Sequence, residues 1–228
     1  MPRETTDAAL RRSNLFFRTL RQVGRLLFRL VFSIKVEGLD RLPRGGSYIL
    51  VCNHLSTFDP LLLLVCLPPD PRIHFLAAAE HTVRGSAFVR WIIRHAGGVI
   101  PVDRQTRRGN LMAVAQGMKV LRSGGILGIF PEGKRGKVEG QLQPLKEGAA
   151  RLAVKTGCPI LVTGISGTSE LYWRRRICLR IGPLLTPEPG ESPEALQARL
   201  EAAMAATIPP VLPGQPKRKW MTWLSRLF

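Results

Sequence analysis

The chain has 228 residues, 45% hydrophobic and 22% charged, with a mean hydropathy of +0.04. That is one domain's worth of sequence with enough apolar content for a sizeable core, and it excludes disorder as the dominant state. The 34 Lys and Arg against 16 Asp and Glu give a formal charge of +18, so the expected partner is anionic: nucleic acid, a lipid surface or a phosphorylated substrate.

From the N-terminus, Leu15 to Phe32 is strongly apolar yet carries Arg18, Arg21, Arg25 and Arg29 at steps of three and four, which form one stripe of a helix. At the centre of a spanning helix four arginines would cost roughly 10–14 kcal/mol, against about 3–7 kcal/mol returned by the eleven Leu, Val and Phe residues. Spanning is therefore excluded. A helix lying in the membrane interface, with leucines and rings in the acyl layer and guanidinium groups among phosphates, satisfies both faces. The alternative is a helix packed on the domain with a solvated arginine edge. No uninterrupted apolar core leads to a small-residue cleavage site, so the segment does not read as a signal peptide.

After the turn-rich Gly38 to Gly46, short apolar runs alternate with helical ones. The strands are expected at Ser47–Asn53, Ile73–Ala77, Gly98–Val102, Ile126–Phe130, Pro159–Ile165 and Ile177–Gly182. A helix is expected over Asn110–Arg122, capped by Asn110 and by Gly124-Gly125, with Leu111, Val114, Ala115, Met118 and Leu121 on its buried face. Another is expected over Ser192–Ala206. This pattern predicts an α/β fold: a mixed, largely parallel sheet flanked by helices, with an N-terminal amphipathic helical membrane-surface segment. A proline-rich linker leads to the basic end KRKWMTWLSRLF, where Trp220, Trp223, Leu224 and Leu227 share a helical face. The expected organisation is a membrane-association segment (1–36), an α/β domain (37–208), and a linker with a basic amphipathic tail (209–228).

Cys52, Cys66, Cys158 and Cys178 have no C-x-x-C spacing and lie in apolar stretches, reading as buried thiols of a reducing compartment. The histidines show no H-E-x-x-H pairing, so no metal is expected. Ligands of such a sheet favour the carboxyl ends of its strands, and three loops there carry chemistry. Asn53 to Pro60 places His54 at a strand end and Asp59 five residues later. A carboxylate that holds one ring N–H leaves the other nitrogen free to take a proton from a hydroxyl. Asp59 before Pro60 is equally a good helix N-cap. Arg104 follows the strand ending at Val102. Pro131 to Gly136 presents Glu132, Gly133, Lys134 and Arg135 after another strand, a loop suited to a phosphate. Gly128 to Lys134 reads G-x-x-x-x-G-K, but Arg135 replaces the magnesium-binding Ser/Thr and Gly128 lies within the strand, so it is not a P-loop. Cys52 near His54 reads as packing.

Four ordered blocks, NHLSTFD, GVIPVDR, FPEGKR and CPILVTGI, spread over residues 35–185, resemble the glycerolipid acyltransferase superfamily, in particular its bacterial 1-acylglycerol-3-phosphate acyltransferases. The resemblance implies acyl transfer from acyl-CoA or acyl-carrier protein to the sn-2 hydroxyl of a lysophospholipid, with no cofactor. It implies that His54 is the general base, Asp59 its orienting partner, and Arg104, Glu132, Gly133 and Arg135 the acceptor-binding residues. The partners it implies are an anionic membrane surface, a lysophospholipid and an acyl donor, at the cytoplasmic face of the membrane, with no nucleic acid. Lys134 and Gly136 depart from the family's commoner Thr and Ser, Val162 from a second proline, and Ala78-Ala79-Glu80 from a lysine-containing segment. The acceptor head group therefore stays open. A basic nucleic-acid-binding module and a thioester hydrolase using His54 remain as alternatives.

Overall fold

Runs that are apolar on both faces must be covered on both faces, and the fold does this in three layers. The structure, a computed structural model, describes residues 10–78, 98–102, 106–211 and 220–226. The elements are α1 (Leu15–Val31), β1 (Ser33–Glu37), a 3-10 turn (Leu39–Arg41), β2 (Ile49–Cys52), α2 (Asp59–Cys66), β3 (Ile73–Ala78) and β4 (Val99–Val102). They continue as α3 (Arg107–Arg122), β5 (Ile126–Ile129), α4 (Gly148–Thr156), β6 (Ile160–Ser166), β7 (Arg176–Leu185), α5 (Pro193–Thr207) and a last 3-10 turn (Thr222–Arg226). The sheet order is β1-β7-β6-β2-β5-β3-β4, with β6 to β4 mutually parallel and β7 antiparallel to β6. The expected α/β class and mixed, largely parallel sheet are thus observed.

Alternation along each strand divides the core. Leu50, Cys52, Leu161 and Ile165 face α1 and α2, where Phe28, Phe58, Leu62 and Leu63 pack. Ile49, Val51, Ile160 and Val162 face the opposite layer, against Val120, Ala149, Ala153, Leu196 and Leu200. Glycines let the second layer sit close: a Cβ at Gly164 would stand 2.8 Å from the Thr207 carbonyl oxygen at the end of α5. Ser192 caps α5, accepting from the Ala195 N–H at 3.2 Å.

Four local expectations need correction. First, the segment expected to be amphipathic helix over 1–36 does not stay helical to its end. Helix ends at Val31, and Ser33 to Glu37, an alternating edge strand, pairs with β7 (Ile34 opposite Ile177, Val36 opposite Leu179). Second, α3 starts at Arg107 with Thr106, not Asn110, accepting from the Gly109 N–H at 3.0 Å. Third, α3 turns Gly117, Val120 and Leu121 to the sheet, while Leu111 (64% exposed), Met112 (56%) and Val114 face outward. The reason is space: a Cβ at Gly117 would stand 2.9 Å from Leu127, so the glycine face is the one that fits. Fourth, Leu224 packs in the core cluster on the α1–α2 side of the sheet, while Trp220 and Trp223 are exposed, so they do not share one face. Leu227 and Lys217 to Lys219 lie outside the described residues. Of the cysteines, Cys52 and Cys178 are buried but Cys66 and Cys158 only half-buried, all free thiols.

Helix α1 carries three faces. Phe17, Gly24 and Phe28 dock on the domain, with Phe28 4.7 Å from the Phe58 ring. Arg21 is buried and donates to the Leu64 and Leu67 carbonyls at 2.6–3.1 Å, satisfying the carbonyl end of α2, and Arg18 pairs with Asp70. Leu15, Phe16, Val23, Leu26, Leu27 and Leu30 stand 38–80% exposed. The helix packs on the domain, as the alternative expects, and Arg18 and Arg29 are exposed, but Arg21 meets the domain and these apolar side chains face away from it. Among the described residues no helix is long and apolar enough to cross a membrane.

Candidate active site

Strands β2 and β5 are neighbours and parallel, so their carboxyl ends open on the same edge of the sheet. β2 empties into Asn53–Phe58 and β5 into Phe130–Gly136. Asn53 locks the first loop: its side-chain amide donates to the Ile165 carbonyl (2.9 Å) and accepts from the Ile165 N–H (2.7 Å), extending the β2–β6 ladder by one rung. His54 follows, its Nδ1 2.9 Å from Asp59 Oδ2. A carboxylate only accepts, so Nδ1 carries the proton. Nε2 is then the nitrogen left for a hydroxyl.

Asp59 is fully buried and both its oxygens are engaged. Oδ2 also accepts from the Leu55 and Ser56 N–H groups (2.7 and 2.8 Å), and Oδ1 accepts from the Thr168 hydroxyl at 2.6 Å. The N-cap position of α2 is Phe58, and the N–H groups that Asp59 accepts lie upstream of the helix. The aspartate thus organises the loop and the imidazole, and is not the helix cap that its place before Pro60 allowed.

The second loop supports the first from behind. Glu132 is 3% exposed, and its oxygens accept from the His54 N–H (2.7 Å) and the Gln143 N–H (3.1 Å). Burial pushes its carboxyl up from the usual range, against those two N–H groups, which draw it down. The Gly136 N–H donates to the His54 carbonyl at 2.6 Å. His54 is therefore gripped on both sides of its backbone, and Arg135, exposed, lies one residue from that grip. Gly133 has φ +69°, and a Cβ there would meet Lys146 Nζ at 2.8 Å, so the lysine crosses directly over this glycine.

An aromatic column fixes the ring. His54 stacks on Phe130 (centroids 4.2 Å apart, 23°), and Phe130 on Phe75 (5.7 Å, 13°). Phe75 fills the space left by Gly128, where a Cβ would lie 2.4 Å from its ring. That contact explains the glycine that imitated a P-loop. Cys52 is 1% exposed and its thiol is pushed well above its usual value by burial, which makes it a packing residue.

His54, Asp59, Glu132, Gly133 and Arg135 thus gather on one sheet edge. Arg104 lies outside the described residues; it follows β4, which stands three strand spacings, about 14 Å, from β2. Residues that the sequence reading missed are Thr168, Asn53, Phe130 and Lys146. For Thr168 the sequence held no signal, since it meets Asp59 only through the β6–β7 connection. That connection is itself held by Glu139, which accepts from the Gly167 N–H, the Ser169 hydroxyl (2.6 Å) and Arg175 (3.0 Å).

A family model described as Acyltransferase matches residues 33–166, more than half of the chain and all six of the predicted site positions. The chain belongs to the acyltransferase family. A curated relative, 1-acyl-sn-glycerol-3-phosphate acyltransferase of Borreliella burgdorferi, is 32% identical over 139 residues, 61% of this chain and 53% of that protein. The enzyme of the same name from Bacillus subtilis is 30% identical over 154 residues, 65% of this chain and 72% of that one. Among solved structures, the 1-acyl-sn-glycerophosphate (LPA) acyltransferase from Thermotoga maritima is similar with a TM-score of 0.67 and 25% identity, over 83% of this chain and 77% of that one. The match spans about half the length of the Borreliella relative. Thr168 lies just beyond the residues that the family model matches.

Proposed function

We propose that this family member transfers an acyl chain from acyl-CoA or acyl-carrier protein to the sn-2 hydroxyl of 1-acylglycerol-3-phosphate, giving phosphatidic acid. The observation that carries the reading is the His54–Asp59 pair, with Nδ1 committed to the aspartate and the ring clamped beside a cationic loop. The names of the curated relatives and the Thermotoga structure support the same substrate class. In this reading His54 Nε2 takes the hydroxyl proton as the oxygen attacks the thioester carbonyl, and the imidazolium returns it to the departing thiolate as the carbon–sulfur bond breaks. No enzyme-bound acyl intermediate is required. Glu132 acts by holding the His54 backbone. Arg135, with Lys134 beside it, meets the phosphate, and Arg104 joins them in binding the acceptor, as the family resemblance implies.

The reaction takes place at a membrane surface. The exposed leucine face of α1 and the net charge of +18 suit an anionic leaflet, such as the cytoplasmic one. Incubation of purified protein with mixed lysolipids and both acyl donors, read by mass spectrometry, tests the assignment. Phosphatidic acid is the expected product. Free fatty acid alone would identify a hydrolase, and acylation of a different lysolipid would move the head group.

A further inference from the structure

Helix α1 crosses α2 closely at Gly24, where a Cβ would stand 3.3 Å from Val65. Beside this crossing lies a cleft of about 230 Å³, lined by α1, α2, β1 and the 3-10 turn after it. Its apolar lining is Phe28, Ile34, Val36, Leu39 and Val65. Arg25 and Arg29, one helical turn apart, also line it, and neither makes a hydrogen bond or ion pair among the described residues. Their stripe partners are committed, Arg21 to carbonyls and Arg18 to Asp70. Among the described residues no carboxylate lines the cleft, and nearby Glu37 is occupied by Lys35 and Arg180.

We propose that this cleft seats an anionic phospholipid of the membrane surface, its phosphate between Arg25 and Arg29 and the start of one acyl chain along Phe28, Leu39 and Val65. Two uncompensated guanidinium groups beside an apolar floor complement a phosphate joined to a hydrocarbon chain. At 230 Å³ the cleft is smaller than the roughly 300 Å³ at which whole-ligand pockets begin, so it takes part of an amphiphile whose remainder stays in the bilayer. Position agrees, because the exposed leucines of the same helix lie on the adjoining face. The seat is separate from the acceptor site: Cys66, at the cleft, is seven residues along α2 from Asp59, about 10 Å. The proposal rests on the membrane-surface reading.

Cys66 reports on occupancy. Burial pushes its thiol up to about 11, so alkylation is slow and is followed by peptide mass spectrometry at about pH 9. Dihexanoyl phosphatidic acid at about ten times its Kd should slow Cys66 alkylation about tenfold, while dihexanoyl phosphatidylcholine and inorganic phosphate should not. R25Q/R29Q should lose this protection and R25K/R29K should retain most of it, with thermal denaturation confirming that each is folded. Equal protection by phosphatidylcholine, protection by inorganic phosphate alone, or unchanged protection in R25Q/R29Q would each overturn the proposal. Flotation of the wild type with phosphatidylglycerol vesicles separates this from the membrane reading. Flotation without Cys66 protection refutes the seat alone, and absence of flotation refutes the membrane reading itself.

Discussion

Gly128→Ala tests whether the aromatic column holds the base. The added Cβ would lie 2.4 and 2.5 Å from two ring carbons of Phe75, whereas carbon contacts are comfortable only from about 3.5 Å. The ring must withdraw by about 1 Å. Phe75 is 4% exposed and stacks nearly parallel on Phe130, so its movement is passed to the ring that backs His54. Overpacking of this size costs about 1–3 kcal/mol, which for a domain of this length lowers Tm by roughly 3–10 °C. A displacement near 1 Å at a reacting group can cost up to about a hundredfold in rate, so kcat for acylation of lysophosphatidate should fall about 10- to 100-fold. The assay is steady-state turnover with acyl-CoA at a temperature where denaturation curves show the variant fully folded. Adding Phe75→Leu relieves the overlap and should recover Tm without recovering kcat, because the stack is lost. Full kcat in folded Gly128→Ala would refute the role given to the column.

Other perturbations separate the parts of the site. Thr168→Val removes the donor to Asp59 Oδ1 and leaves a buried carboxylate oxygen unsatisfied; kcat should fall about tenfold or more with little change in KM, and Thr168→Ser should restore it. Arg135→Ala should mainly raise KM for the acceptor, and an unchanged KM would contradict its contact with the phosphate. His74 is 5% exposed, donates from Nε2 to the Leu10 carbonyl, and is pushed down to about 4 by burial. The folded protein therefore resists protonation that the unfolded chain accepts at about 6.5. The resulting stability is complete above pH 6.5 and is lost as pH falls toward 4, by about 3 kcal/mol. Urea denaturation between these pH values should show this loss, and His74→Gln should reduce it; an unchanged slope would refute the assignment.

The strand-then-loop pattern was legible because the parallel strands are apolar on both faces: Ile49–Cys52 and Ile126–Ile129 sit within the expected runs, and their loops bring His54, Asp59, Glu132 and Arg135 to one edge. Strand β1 was not, since only Ile34 and Val36 alternate there and the preceding helix masks them. The face of α3 was misread because hydrophobicity favoured Leu111 and Val114, while close packing against Leu127 selected Gly117. Glu132 was expected to touch the acceptor, yet both its oxygens hold backbone N–H groups of neighbouring loops. Such pairings, like Thr168 to Asp59, depend on which loops tertiary structure brings together, and no local spacing encodes them.

The most direct measurement is turnover of His54→Ala and Asp59→Asn beside the wild type, on lysophosphatidate and acyl-CoA presented with anionic vesicles. Loss of the general base should lower kcat by about 10²- to 10⁴-fold while vesicle binding is retained. Turnover near that of the wild type in folded, vesicle-bound His54→Ala would contradict the account.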